Sequence, residues 1–375
     1  MDLVSVLQVV FGLVLLVGGG ELLVRGASAL AVKAGISPLV VGLTVVSVAT
    51  SAPELAVTTG AVFSGESELA IGNVVGSNIA NILLVLGVSA IVLPLGIKRQ
   101  LVRVDVPFLI GLGALLALLA FDGRISTIDG VILLVFWVAH TAMSVFLSKR
   151  EEAGDAPPSD APPSGAEDVP EPVALPLALV LVAVGVGLLV VGANLLVSGA
   201  VSIATGLGVS SLVVGLTVVA IGTSLPELVA SIIAVRKRAG DLAVGNAIGS
   251  CLANIGLVLG VPSALKPGGL PVPSAVLSID LPLMVAASVA LLPVIYTGAR
   301  IARREGLLFV VLYVCYTTYL VLNARGHEST SGFSLVMLFL VLPLVALTLT
   351  LLAGRERGLR RRHRTAERTP AGDRD

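Results

Sequence analysis

Long apolar stretches separated by short polar breaks fill most of the chain. A helix needs about 17–25 apolar residues to cross a bilayer. Eleven stretches meet that length, at roughly 3–24, 36–62, 69–95, 105–121, 127–148, 175–198, 209–235, 242–264, 274–296, 305–323 and 332–353. The pattern predicts an all-α polytopic membrane protein. The one long interruption, 151–173, is rich in Pro, Ala and acidic residues. It predicts a disordered linker, too short for a folded regulatory domain. Past the eleventh stretch, 354–375 reads as a basic tail.

Composition agrees. Hydrophobic residues make up 56% and charged residues 13% of the 375, against roughly 25% charged in soluble domains. The formal net charge is zero, so no global field favours nucleic acid. Cys251 and Cys315 both lie in apolar runs and form neither a disulfide framework nor a metal motif. The first run follows Met1-Asp2 without a basic lead and meets Arg25 without a cleavage site, so it reads as a retained span.

Basic residues alternate loop by loop. With the N-terminus outside, 21 of the 24 Lys and Arg fall on the inside, and only Arg124, Lys266 and Arg325 fall outside. The positive-inside rule then puts the linker and the tail in the cytoplasm, in a cell (inner) membrane.

The chain also repeats itself. Residues 42–87 align with 215–260 at a constant offset of 173, with 25 identities in 46 positions and no gap. The first block carries G-L-T-V-V-S-V-A-T-S-A-P-E-L and G-N-V-V-G-S-N-I-A-N-I. The second carries G-L-T-V-V-A-I-G-T-S-L-P-E-L and G-N-A-I-G-S-C-L-A-N-I. A fainter echo pairs Val104-Asp105-Val106-Pro107 with Ile279-Asp280-Leu281-Pro282. Each half, 1–150 and 174–323, holds five spans. An odd number turns the second half upside down in the membrane. The expected architecture is an inverted 5+5 repeat with one extra span at 332–353, and a site at the repeat interface near the midplane.

Pro53 and Pro226 sit inside spans and should bend or break them, freeing carbonyls near Ser47 and Ala220. Irregular backbone at that depth must line a cavity or be buried in protein. A glutamate follows each proline: Glu54 and Glu227. A mid-membrane carboxylate marks a functional site unless a buried base pairs with it, and no Lys or Arg lies well inside any span. Thr50 and Ser51 precede Glu54 by four and three residues, as Thr223 and Ser224 precede Glu227, so they share its helix face. Ser77 and Asn81 are four apart, as are Ser250 and Asn254. This set of carboxylates, amides, hydroxyls and carbonyls suits Ca²⁺ and Na⁺ rather than Zn²⁺ or Cu⁺. Each hydroxyl alone has a competing use, bonding back to its own helix.

Other polar positions read as structural. His140 lies beside Trp137 near a span end, an interfacial position. Glu21 lies near the inside end of its span and reads as structural or as a vestibule residue. Asp105 and Asp280, each two residues before a proline, read as N-caps. Gly72, Gly76, Gly245 and Gly249 read as packing positions. Gly18-Gly19-Gly20 lacks the lysine of a phosphate loop.

The two T-S-x-P-E and G-N-x-x-G-S motifs resemble the α-repeats of the calcium:cation antiporter superfamily, the sodium/calcium exchangers. The resemblance covers nearly all of residues 1–323. It implies Ca²⁺ held by Glu54 and Glu227 with Thr50 and Thr223. It implies flanking Na⁺ sites from Ser51, Ser77, Ser224, Ser250 and the carbonyls of Ser47 and Ala220. Asn81 and Asn254 would line the middle. Some relatives carry Asp where this chain has Asn254, and the acid looks important in those that co-transport K⁺. The eleventh span lies outside the resemblance.

The leading expectation is a Na⁺/Ca²⁺ antiporter working by alternating access, with two carboxylates matching one Ca²⁺. Repulsion between them in an empty site lets protons compete, so a H⁺/Ca²⁺ antiporter is the close alternative. A cation channel and an intramembrane hydrolase using Ser51 or Ser224 fit less well. No enzyme activity, cofactor or obligatory protein partner is expected.

Overall fold

The computed structural model describes residues 3–150, 174–207, 220–274, 276–298 and 300–324. The predicted eleventh span, the linker and the tail lie outside them, as does the first half of the seventh span.

The first half contributes α1 (Leu3–Ala34), α2 (Pro38–Thr50), α3 (Ala52–Ser64), α4 (Ser67–Val92), α5 (Leu101–Asp122) and α6 (Thr127–Arg150). The second contributes α7 (Leu175–Gly206), α8 (Ala220–Thr223), α9 (Leu225–Arg236), α10 (Gly240–Leu265), α11 (Leu281–Gly298, entered through a π-helical turn at Val276–Asp280) and α12 (Arg303–Ala324). Among the described residues, seven helices are long and apolar enough to cross a membrane. An eighth crossing is the α2–α3 pair, bent by 47°.

Burial separates centre from periphery. The most apolar windows of α4 and α10 are 78% and 94% buried, whereas those of α1, α6 and α7 are 22–28% buried. α1, α6 and α7 turn Phe11, Val135, Phe146, Val180 and Val191 outward, as lipid-facing surfaces do. The two central helices carry Ser77/Asn81 and Ser250/Asn254. Each is loosened by a π-helical turn, Ala80–Val85 in α4 and Asn254–Leu259 in α10. Such turns recur at functional sites because they break the regular hydrogen-bond ladder.

The halves are related by a two-fold exchange of contacts. Strand β1 (Leu95–Gly96) pairs antiparallel with β4 (Arg300–Ile301), and β2 (Arg124–Ile125) with β3 (Leu270–Pro271). β1 and β3 are repeat mates, as are β2 and β4, so each pair joins one half to the other. The same exchange puts Gly130 of α6 on Gly260 of α10, and Gly306 of α12 on Gly87 of α4.

α1 and α7 are mates that pack antiparallel on each other. A Cβ on Gly12 would meet the Gly192 carbonyl at 2.8 Å, and one on Gly19 would meet the Gly185 carbonyl at 2.7 Å. Small residues every seventh position let the backbones touch, which is how helices associate where lipid offers no hydrophobic drive. Of the four glycines read as packing positions, Gly245 and Gly249 of α10 lie against Leu39 and Leu43 of α2, whereas a Cβ on Gly72 or Gly76 would meet nothing within 4 Å.

The N-cap reading of Asp105 and Asp280 is wrong. Asp105 has helical dihedrals (φ −71°, ψ −44°), makes no capping hydrogen bond and closes a π-helical turn at Leu101–Asp105. Asp280 closes the equivalent turn. Pro107 and Pro282 each take the second position of the α-helical stretch that follows the turn, Val106–Leu119 and Leu281–Gly298, in a first turn where a missing N–H is tolerated.

Candidate functional site

The break in each glutamate-bearing span falls on a serine. Ser51 has φ −81° and ψ 8°, and its mate Ser224 has φ −90° and ψ 8°. Both lie in the bridge region of backbone space. Pro53 and Pro226 start the following helices, α3 and α9, and put Glu54 and Glu227 in their first turns. Carboxylates there also face the positive end of a helix dipole.

The freed-carbonyl expectation for Ser47 is not met. Its carbonyl accepts the Ser51 N–H at 2.9 Å and the Thr50 hydroxyl at 3.3 Å. A proline withdraws the usual donor from the carbonyl four residues back, and for Pro53 that is Ala49. The Ser47 hydroxyl bonds back to the Leu43 carbonyl at 2.8 Å. Ala220 opens α8, the described part of the seventh span.

The two halves meet at the glutamates. Ser51 donates its hydroxyl to Glu227 Oε1 at 3.3 Å. Thr50 donates to the side-chain oxygen of Asn246 at 3.2 Å. Asn246 in turn donates to the Glu227 carbonyl at 3.3 Å and to the Ser231 hydroxyl at 3.0 Å. Its mate Asn73 does the same to the Glu54 carbonyl at 3.4 Å and to Thr58 at 3.0 Å.

Glu54, Glu227, Thr50, Ser51, Ser224, Ser250, Asn81 and Asn254 are all at most 1% exposed, Ser77 is 4% exposed, and Thr223 is half-buried. Nine buried polar atoms here have no hydrogen-bond partner: both oxygens of Glu54, Oε2 of Glu227, both amide atoms of Asn81 and of Asn254, and the hydroxyls of Ser224 and Ser250. Only five other such atoms occur among the described residues. Each costs about 1–3 kcal/mol unless something binds it. Their concentration around two carboxylates creates strong demand for a cation. Among the described residues neither glutamate has an ion-pair partner, and no three His, Cys, Asp or Glu side chains gather as a transition-metal site would require.

The family model for sodium/calcium exchanger proteins matches residues 4–146 and 177–322. The chain belongs to the sodium/calcium exchanger family. It is a membrane transporter of the cation/Ca²⁺ antiporter type, not an enzyme. Among its relatives, the sodium/calcium exchanger MaX1 of Methanosarcina acetivorans is 32% identical over 348 residues, covering 84% of this chain and 98% of that one. The inner membrane protein YrbG of Escherichia coli is 34% identical over 266 residues, covering 71% and 81%. Solved structures of the sodium-calcium exchanger NCX_Mj, soaked with Na⁺, Ca²⁺ or Sr²⁺, superimpose with a TM-score of 0.71 at 32% identity. They cover 85% of this chain and 99% of the matched one.

Sequence reasoning missed two features of this exchanger. Asn73 and Asn246 belong to the repeated motif, yet the expected ligands were only the serines and the later asparagines. Asn73, Ser77 and Asn81 recur at four-residue steps, as do Asn246, Ser250 and Asn254, so one helix face carries all three. The second feature is the environment of His140. It is 3% exposed and lies against Asp105. Glu21 pairs with Lys237 at the end of α9, in keeping with a structural role.

Proposed function

We propose that this exchanger is a Na⁺/Ca²⁺ antiporter in which Glu54 and Glu227 jointly bind one Ca²⁺ and alternately bind Na⁺. One observation carries the reading: both carboxylates are fully buried, three of their four oxygens lack any hydrogen-bond partner, and Ser51 of one repeat reaches the glutamate of the other. Two negative charges balance a dication. Thr50 and Thr223 complete the Ca²⁺ position. Ser51, Ser77, Ser224 and Ser250, with the carbonyl of Ala220, supply smaller oxygen cages for Na⁺. Asn81 and Asn254 line the centre. Hard oxygen donors of this type suit both ions. Alternating access follows from inverted halves rocking about a fixed central site. The family and the name of MaX1 support the same pair of ions. The membrane is the cell (inner) membrane, with the N-terminus outside and the 151–173 linker inside.

A second reading is H⁺/Ca²⁺ antiport. Carboxylates without a basic partner need a counter-charge whenever no metal is bound, and two protons would serve. The deciding measurement is ⁴⁵Ca²⁺ uptake into proteoliposomes driven by an outward Na⁺ gradient, against uptake driven by an outward H⁺ gradient. Uptake driven by Na⁺ alone supports the proposal. Uptake driven only by H⁺ replaces it.

A further inference from the structure

Outside the transport site, a second ionisable cluster lies in the membrane. Asp105 of α5 is fully buried, and its Oδ1 lies 3.0 Å from His140 Nε2 of α6. Ser144, one turn along α6, donates its hydroxyl to the same oxygen at 3.3 Å. Phe108 stacks on the imidazole with ring centroids 4.4 Å apart. The other carboxylate oxygen, Oδ2, is buried without a partner.

The second half holds the mate of this cluster in altered form. Asp280 is the mate of Asp105, and Tyr316 occupies the place of His140, its hydroxyl donating to Asp280 Oδ1 at 3.3 Å. Both halves therefore join the same two helices through an aspartate. Only the first half uses a partner whose ordinary charge change falls between pH 5 and 8.

Other charged groups do not compensate Asp105. On α5 itself, Arg103 is exposed. On α6, Asp129, Lys149 and Arg150 sit at the two ends. The described residues of α2 carry no charge. α10 offers Asp241, which is paired with Lys98, and the buried thiol of Cys251. α11 is entered through Asp280, which is engaged by Tyr316. Among the described residues His140 is the only basic group within 4.0 Å of Asp105.

We propose that Asp105 and His140 form a proton-binding site, separate from the transport glutamates, that clasps α5 to α6 by sharing one proton between a carboxylate and an imidazole. With the proton, the pair is an imidazolium and a carboxylate with no net charge. Without it, Nε2–H still reaches Oδ1, but one negative charge stays buried in apolar surroundings. An uncompensated charge of that kind is strongly unfavourable, so losing the proton weakens the clasp. The consequence reaches the second repeat. One turn before His140, Trp137 packs on Gly256, two residues from Asn254, and a Cβ on Gly256 would lie 2.7 Å from Trp137 Cγ. A loosened α6 therefore presses less firmly on the π-helical turn that carries Asn254.

The test uses the full-length protein with the transport glutamates silenced by Glu54→Gln and Glu227→Gln, so that neither ion exchange nor glutamate titration contributes. Melting temperature is measured at pH 6.0 and pH 8.5, with and without Asp105→Asn and His140→Gln together. That second pair of changes removes charge and partner at once. The expected result is a fall in melting temperature between the two pH values, larger by about 3 °C when Asp105 and His140 are present. Equal falls with and without the pair would overturn the proposal. Should the four-fold variant not fold, nitrogen NMR of histidine-labelled native protein decides instead. The chain has three histidines, and His140→Gln identifies the relevant signal. The expected result is that the His140 signal changes over a different pH range in Asp105→Asn than in the native protein. The same pH profile in both would equally overturn the proposal.

Discussion

Ser51 of the first repeat donates its hydroxyl to Glu227 of the second at 3.3 Å. That contact makes one site out of two copies of a motif. It also fixes what single changes should do. Glu54→Gln or Glu227→Gln removes one of two charges facing a dication while preserving shape. Each is expected to abolish Ca²⁺ exchange in proteoliposomes and leave the protein monodisperse and folded. Exchange at the native rate by either variant would show that the carboxylate lies outside the ion path.

Asn246 holds three groups from both halves: the Thr50 hydroxyl, the Glu227 carbonyl and the Ser231 hydroxyl. Asn246→Ala removes all three hydrogen bonds. At about 1 kcal/mol net per bond, the melting temperature should fall by several degrees, and Ca²⁺ affinity should weaken as Thr50 and Glu227 lose their common support. Thermal unfolding and the Ca²⁺ dependence of exchange measure the two effects. Unchanged values for both would mean these bonds are incidental.

The α1–α7 contact predicts intolerance of size. A Cβ on Gly185 would lie 2.6 Å from the Leu23 nitrogen. Gly185→Leu should therefore cost about 1–3 kcal/mol or more through overpacking. Gly187 is exposed, and a Cβ added there would meet nothing within 4 Å. It should accept alanine with equal or higher stability. Melting curves of the two variants would need to coincide for the packing account to fail.

The repeat also exposes a strained position. Gly65 takes φ +84° after α3, and its mate Arg238 takes φ +61° after α9. In both, the next residue's N–H reaches back five positions at 2.8 Å, Glu66 to Ala61 and Ala239 to Ala234. Left-handed backbone costs a residue with a Cβ about 1–2 kcal/mol. Arg238→Gly should thus stabilise the protein by a fraction of that, after glycine's extra unfolded-state entropy is subtracted. A lower melting temperature for the variant would contradict this reading.

Much of this is legible in the sequence because a bilayer imposes simple rules on the chain that crosses it. Apolar length marks the spans, and polar identity at a fixed offset marks the two halves and the glutamates. What stays hidden depends on which helices touch. Asp105 resembles a cap in sequence because a nearby proline often marks a helix start. The structure instead runs a π-helical turn through it and turns its side chain to His140 on the next span. No local pattern specifies a partner 35 residues away. The Ser47 carbonyl departs from expectation for a narrower reason. Pro53 withdraws the donor of Ala49, and the bond from Ser51 to Ser47 survives just before it.

Asn254 offers the sharpest chemical test of the site. It is fully buried, opens the π-helical turn of α10, and neither of its amide atoms has a hydrogen-bond partner. Its mate Asn81 lies in the equivalent turn of α4 in the same state. The centre thus holds two carboxylates and two amides. Asn254→Asp would add a third acid without changing size. Three buried acids sharing one site cannot all ionise unless extra cations accompany them. Ca²⁺ transport by the variant should therefore depend more steeply on pH than native transport does, because a proton must leave before each dication enters. A monovalent cation could take the place of that proton, so the variant should also gain sensitivity to K⁺, which native transport is expected to lack. Exchange rates from pH 6 to 9, with and without K⁺, measure both effects in one preparation. Superimposable pH profiles would show that Asn254 does not face the ion-binding carboxylates. Native transport that already requires K⁺ would equally overturn the idea, because the two carboxylates and two amides would then already serve a K⁺-coupled cycle.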